Sequence, residues 1–213
     1  MSGGVKWSFD KKYNMKEKLS STEKEVLELL SPEYEYVNVC IGYEWIKERK
    51  DGKQQKDEHY ENFLQPLLNK YTKSFNDKYE RFKIKCSVNK LRGSHAGINF
   101  LDIYEKIKNA DVLVFDITSH GKETTFNYNV MLELGIALGM GKTPFVFVSD
   151  KLKDEKLPSD LNGFFLTYYS SDNSKFALDR IKDKMGFVNK YVSLIRNAGK
   201  AKISNKLNNG ELK

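Results

Sequence analysis

The chain has 213 residues, of which 39% are hydrophobic and 31% charged, and its formal net charge at pH 7 is +7. This length predicts one large domain, or one domain with appendages. No apolar run approaches the roughly 18 residues of a membrane span, and the N-terminal residues lack the apolar segment of a signal peptide. The composition therefore predicts a cytoplasmic protein without a membrane segment.

Cysteine content and charge distribution narrow the classes of ligand. Cys40 and Cys86 are too few for a disulfide framework or a zinc site, and both lie in strand-like runs, which predicts free, buried thiols. The positive charge suits an anionic ligand, but the lysines are scattered, and no zinc-finger spacing or RNA-binding aromatic motif is present. These features disfavour nucleic acid as a partner, and the sequence predicts neither a metal site nor a cofactor.

In chain order, residues 1–35 are interpreted as an N-terminal arm with a short helix at residues 22–30. The alternating, β-branched run at residues 36–43 predicts the first strand. Residues 59–71 fit a helix that Pro66 should kink or divide. Residues 81–88 predict the second strand, and residues 99–109 predict a helix with one apolar face.

Two short apolar runs, at residues 112–115 and 145–148, predict strands buried on both faces, with a helix at residues 127–141 between them. A fifth strand is predicted at residues 164–169, a closing helix at 175–197 and a disordered basic tail at 198–213. This alternation predicts an α/β fold over residues 36–197, a flavodoxin-like (doubly wound) five-stranded parallel sheet with helices on both faces.

Glu133 is the only charged residue in the helix predicted at residues 127–141. The rest of that helix is apolar on every side, which is typical of a buried helix. A carboxylate there is costly unless partners satisfy it, and such a cost is often accepted at a functional site. The alternative is a structural glutamate that the helix dipole favours and backbone groups hydrogen-bond. The apolar surroundings favour a functional role.

Ligands of parallel α/β sheets bind beyond the carboxyl ends of the strands. This rule selects residues 43–45, 92–97, 116–129 and 149–150, which follow the first four predicted strands. Asp116 stands where its strand should end, and Glu133 lies in the second turn of the helix that leaves the same loop. The two carboxylates could therefore face one pocket.

Two glycine-containing segments have some features of phosphate loops. The segment from Gly135 to Thr143 has spacing one residue too long for a P-loop and ends a helix, so that Gly141 is interpreted as a helix terminator. Residues 93–97 could cradle phosphate through backbone N–H groups or form an ordinary connection. The three histidines of the chain have no metal-ligand spacing.

The sequence ADVLVFDIT, followed by NYNVMLELGIALGMGKTPFVFVS, resembles the nucleoside 2-deoxyribosyltransferase-like proteins and the related TIR-like nucleotide-binding domains. The shared pattern is a strand ending in Asp, then Asn-x-Asn-Val-x-x-Glu-Leu-Gly-x-Ala, then Gly-Lys. The close match covers about forty residues. Its positions here are Ala110, Asp111, Asp116, Asn127, Asn129, Val130, Glu133, Leu134, Gly135, Ala137, Gly141 and Lys142.

The resemblance implies cleavage of an N-glycosidic bond, or base exchange, on a nucleoside, nucleotide or NAD. Glu133 would be the nucleophile that attacks the anomeric carbon, and Asp116 could hold a sugar hydroxyl or protonate the departing base. The candidate substrate-binding residues are Tyr43, Trp45, Arg92, Gly93, Asn127 and Asn129. For each of these accessory residues, packing or loop capping is the alternative role.

Two classes of function stay open at this point. The first is an enzyme, for which the resemblance implies a role as a nucleotide-depleting effector in bacterial antiviral defence. The second is a non-catalytic nucleotide-sensing or assembly module of TIR-like type. A homo-oligomer is expected in either case, since the apolar central helix needs cover, and an activating protein partner is a further expectation.

Overall fold

The structure, a computed structural model, describes residues 34–44, 59–91, 99–120, 124–155, 161, 166–172 and 175–210. The unit that contains the sheet begins at Glu35. The helix predicted at residues 22–30 lies outside the described residues.

Five strands form the main sheet, β1 Glu35–Gly42, β2 Ile84–Lys90, β3 Val112–Asp116, β6 Phe145–Ser149 and β7 Leu166–Tyr169, and the two strands between β3 and β6 in the chain form a separate hairpin. The order in the main sheet is β2-β1-β3-β6-β7. Every pair of neighbours in this sheet is parallel. This order confirms the predicted flavodoxin-like architecture.

Helices cover both faces of the sheet. The helices are α1 Gln65–Tyr79, α2 Asn99–Asn109, α3 Tyr128–Gly139 and α4 Lys184–Asn208. A π-helical turn, Tyr60–Leu64, leads directly into α1. Within the described part of the chain, no helix is long and apolar enough to cross a membrane.

The strands have two apolar faces because successive side chains point to opposite sides of a sheet. Val37, Val39 and Ile41 of β1 belong to a core that includes side chains of α1 and α4. Leu113 and Phe115 of β3 belong to a second core that includes side chains of α2 and α3. Continuous apolar runs rather than alternating ones are therefore required at β3 and β6, where every residue is buried.

Two helix predictions were wrong in their bounds. Helix α1 continues to Tyr79, beyond the predicted end at residue 71. The helical segment divides next to Pro66, as predicted, because the π-helical turn ends at Leu64 and α1 begins at Gln65. Proline has no N–H group for the regular helical hydrogen bond, and helices are interrupted at such positions. Helix α4 begins at Lys184, where the Asp183 side chain accepts a hydrogen bond from Gly186 N at 2.8 Å, and not at residue 175.

The predicted disordered tail at residues 198–213 is also corrected, because α4 extends to Asn208. Lys202 Nζ lies 3.5 Å from Glu35 Oε1 and 3.4 Å from Asp111 Oδ2. Gly199 is buried, and a Cβ built on it would lie 2.7 Å from the Phe75 ring, so α4 approaches α1 closely. The prediction of disorder depended on composition, which contains no information about contacts with elements that are distant in the sequence.

The connection after β3 contains an antiparallel hairpin that the sequence did not predict. Its strands are β4 Thr118–His120 and β5 Thr124–Phe126. The main-sheet strand β2 also begins later than predicted, at Ile84 instead of residue 81, because a 3-10 turn occupies Glu80–Phe82.

Cys40 and Cys86 are free and buried, which confirms the prediction for both thiols. Burial raises the pKa of Cys40 to about 11 and that of Cys86 to about 12. Neither thiol is therefore a reactive thiolate at neutral pH.

Candidate functional site

Helix α3 positions Glu133 at the carboxyl edge of the sheet. Asn127 precedes the helix, and its side-chain oxygen accepts a hydrogen bond from Val130 N at 3.1 Å. Asparagine is favoured at this position because it satisfies an N–H group that has no partner within the helix. The cap fixes the start of α3 and thereby places Glu133 in its second turn.

The carboxylate of Glu133 is half-buried against the ends of β1 and β3. A Cβ built on Gly42 would lie 2.9 Å from Glu133 Oε2 and 2.5 Å from the Phe115 ring. Among the described residues, Glu133 makes no hydrogen bond and no ion pair. Burial alone raises its pKa from the usual 4.5 to about 7.

Gly42 leaves the space that Glu133 and Phe115 occupy. It is the last residue of β1 and pairs with Phe115 of β3. Any side chain here would enter volume that a fully buried aromatic ring and a carboxylate already fill. Glycine at the end of this strand is therefore required by close packing.

We expect Gly42→Ala to lower the free energy of unfolding by about 1–3 kcal/mol, because overpacking displaces well-packed neighbours. Urea denaturation of both proteins measures the change. Phe115→Leu and the double variant complete a double-mutant cycle, in which the smaller side chain should partly rescue Gly42→Ala. Full additivity of the two changes would contradict a collision between residues 42 and 115.

Asp116 lies at the end of β3 and is only 1% exposed. Its Oδ1 accepts a hydrogen bond from Thr118 N at 3.0 Å. Its Oδ2 accepts one from the Tyr169 hydroxyl at 2.9 Å and lies 2.6 Å from His59 Nε2. Both carboxylate oxygens are thus already engaged, which is how a buried carboxylate becomes tolerable.

Arg180 lies close to the same cluster, and it is 2% exposed. Its guanidinium carbon lies 4.1 Å from the centre of the Phe63 ring and 5.6 Å from that of Tyr169, and its Nε donates to Ser170 O at 2.8 Å. Burial and the charge of Asp116 raise the pKa of Tyr169 well above its usual value. The cation and the Asp116 carboxylate offset each other's charge in this part of the core.

The predicted joint role of Asp116 and Glu133 stays a prediction, although the two carboxylates point toward opposite faces of the sheet and no hydrogen bond joins them. The pleat of β3 explains their separation. Phe115 points toward α3, where Glu133 lies, and the next residue, Asp116, points toward the opposite face and its partners His59 and Tyr169.

The remaining predicted site residues are the six candidates for substrate binding, of which the structure describes three. Tyr43 is 2% exposed, and its ring stacks on that of Tyr60 with centroids 5.0 Å apart, which makes it a core residue rather than an open platform for a base. Asn127 serves as the helix cap, and Asn129 is exposed on α3. Trp45, Arg92 and Gly93 lie outside the described residues.

The sequence did not predict that His59, Tyr169 and Gly42 lie at the candidate site. The carboxyl-end rule could have found Tyr169, since it ends β7 just as Asp116 ends β3. Nothing local identifies His59, which precedes a π-helical turn and lies 57 residues from Asp116 in sequence. Within the described ranges, no group of three or more His, Cys, Asp or Glu residues could hold a metal ion.

No protein-family model matches the chain, and no curated protein matches it. The site geometry and the sequence motif are therefore the observations that bear on function.

Proposed function

We propose that the protein cleaves the N-glycosidic bond of a nucleoside, nucleotide or NAD through a covalent intermediate on Glu133. The observation that carries the proposal is the environment of this carboxylate. It is desolvated, makes no hydrogen bond or ion pair with any described residue, and lies beside Gly42 at the carboxyl edge of a parallel sheet. A structural glutamate would satisfy its oxygens, as Asp116 does.

The reaction would proceed in two displacements. A Glu133 oxygen forms a bond to the anomeric carbon while the bond from that carbon to the base nitrogen breaks and its electron pair leaves with the base. Water then adds to the anomeric carbon, loses a proton to solvent, and releases the carboxylate. Attack by a second base instead of water gives base exchange.

Poor solvation makes Glu133 suited to this role. A carboxylate that has lost water without gaining donors is more nucleophilic, and its negative charge stabilises the positive charge that develops on the sugar. The same loss of water makes the group about half protonated near neutral pH, since its pKa is about 7. A cationic substrate would favour the ionised form.

The leaving group distinguishes among the three substrate classes. A neutral base needs a proton as it departs, and both oxygens of Asp116 already accept hydrogen bonds. The nicotinamide of NAD carries a positive charge, becomes neutral when it takes the electron pair, and needs no acid. We therefore place NAD first among the candidate substrates.

The alternative function is a nucleotide-sensing or assembly module that uses the same edge of the sheet without chemistry. The commitment of Asp116 to His59 and Tyr169 favours this alternative, because it leaves the proposed site with one unbonded carboxylate among the described residues.

For the enzymatic function, we also propose a biological role on the basis of the sequence motif. The enzyme would deplete nucleotides in antiviral defence and would be activated by a protein partner.

Incubation of the purified protein with NAD and a panel of nucleosides and nucleotides, followed by chromatography of the released base, tests the proposal. Release of nicotinamide or a nucleobase, in proportion to enzyme and time, is the expected result. Failure to release base from every substrate, together with saturable binding of one of them, would establish the sensing function instead.

We also expect base release to depend on pH in one direction. Because the nucleophile must be ionised, kcat/KM should rise with pH up to about 7, the pKa of Glu133, and level off above it. Rates measured from pH 5 to pH 9 test this. An activity that falls as the pH rises through 7 would identify Glu133 as an acid and contradict its role as nucleophile.

A further inference from the structure

The outward side of α3 is a stripe of four exposed residues, Tyr128, Leu132, Gly135 and Gly139. Their spacing of four, three and four positions places them on one side of the helix. Tyr128 is 82% and Leu132 61% exposed, and no charged residue belongs to the stripe. An exposed, uncharged helix side is unusual in a chain of which 31% is charged.

Packing against the described residues does not explain the two glycines of the stripe. A Cβ built on Gly135 or Gly139 would meet no atom of the described part of the chain within 4 Å. Glycine within a helix weakens it relative to alanine, and glycine is often found where a second backbone approaches closely. Both glycines are exposed, so the open space above them faces away from the described residues.

We propose that this stripe is the interface with a second copy of the chain, in which the two α3 helices pack antiparallel about a two-fold axis. The large side chains occupy the N-terminal half of the stripe and the glycines its C-terminal half. In an antiparallel pair, Tyr128 and Leu132 of each copy therefore lie over Gly139 and Gly135 of the other. The stripe is thus complementary to itself in shape, as a two-fold interface requires.

We extend the proposed interface to the neighbouring helix α2. It packs against α3 and exposes Phe100 by 55%, Leu101 by 60% and Tyr104 by 38%. With Tyr128 and Leu132, these side chains expose on the order of 500 Å². A stable interface buries about 800 Å² on each partner, so these five residues supply most of the required area.

The charge of this surface also favours self-association. The stripe of α3 carries no charge, and α2 carries Lys106 and Lys108 against Asp102 and Glu105, a net charge of zero, whereas the whole chain carries +7. Two such chains repel each other least where they meet through faces without excess positive charge. Glu133 points to the inner side of α3, so the interface is independent of the proposed function.

Sedimentation equilibrium of the natural protein and of Leu132→Asp tests the interface. We expect a dimer at micromolar concentration and an increase in the dissociation constant of about 100-fold or more for the variant. Leu132 is largely exposed, so the variant should fold, as circular dichroism can verify. Phe176→Asp is the matched control, because Phe176 is 86% exposed and lies outside α2 and α3. A monomeric natural protein, or an unchanged dimer in Leu132→Asp, would overturn the proposal.

Cysteine cross-linking tests the antiparallel arrangement, since Cys40 and Cys86 are buried. A mixture of Tyr128→Cys chains and Gly139→Cys chains should form a disulfide-linked heterodimer under mild copper–phenanthroline oxidation. Each variant alone should not cross-link, because identical positions would be about 16 Å apart along the helices, beyond the reach of a disulfide. Cross-linking of Tyr128→Cys alone would demonstrate a parallel pair and contradict the arrangement.

Discussion

Replacement of Glu133 by Gln is expected to reduce base release by a factor of about 10³ or more, equivalent to about 4 kcal/mol. The amide cannot form the covalent intermediate and cannot stabilise positive charge on the sugar. Its shape is that of the carboxylate, and no hydrogen bond with the described residues is lost, because Glu133 makes none. The variant should therefore fold normally and still bind the substrate.

The same variant is expected to be more stable than the natural protein above pH 7. The pKa of Glu133 is 4.5 when solvated and about 7 in the folded protein, so folding takes up protons between these values. The contribution of Glu133 to stability consequently falls as the pH rises through this window and stays low above it. Solvent still reaches the carboxylate, so we expect Glu133→Gln to add about 2 kcal/mol at pH 8 and little at pH 4.

Glu105→Gln is the matched control for both measurements. Glu105 is an exposed glutamate on α2, and its carboxylate lies 3.5 Å from Lys108 Nζ. An exposed ion pair of this kind contributes little to stability, so this variant should have near-native base release and melting temperature. Near-native base release by folded Glu133→Gln would exclude the nucleophilic role. Equal stability of Glu133→Gln and the natural protein at pH 8 would contradict the raised pKa.

The position of helix α3 and the unusual apolar surroundings of Glu133 could be predicted because both are local properties of the sequence. A single charge in an otherwise apolar helix is visible in the sequence, and so is the Asn127 cap that begins the helix. The parallel α/β sheet could be predicted from short apolar runs that alternate with helices, since parallel strands need crossovers. These signals depend on residues that are neighbours in the chain.

The partners of Asp116 could not be predicted because they come from distant parts of the chain. His59 lies 57 residues before Asp116, and Tyr169 lies 53 residues after it. The motif implied that Asp116 acts with Glu133, but a pattern of residues does not state which face of the sheet each side chain uses. The pleat of β3 decides this, because adjacent residues point to opposite faces.

Replacement of Asp116 by Ala is expected to lower the free energy of unfolding by about 3–5 kcal/mol. The change removes the acceptor for the Tyr169 hydroxyl, the Thr118 N–H group and His59 Nε2. Buried donors without an acceptor are costly, and Arg180 loses a nearby opposite charge as well. Urea denaturation at neutral pH measures this change.

Two milder variants separate a structural role of Asp116 from a catalytic one. Tyr169→Phe keeps the ring and removes one hydrogen bond to Asp116, so it should lower stability by about 1.5–3 kcal/mol. Asp116→Asn keeps one acceptor oxygen, which can serve the Thr118 N–H group, and replaces the oxygen that accepts from the Tyr169 hydroxyl with an NH2 group. The free energy of unfolding of this variant should therefore lie between those of Tyr169→Phe and Asp116→Ala. If Asp116 only supports the fold, base release by folded Asp116→Asn should remain within about tenfold of the natural rate. A loss of 10³-fold in a stable Asp116→Asn protein, on the order of that expected for a catalytic group, would instead place Asp116 in the chemistry.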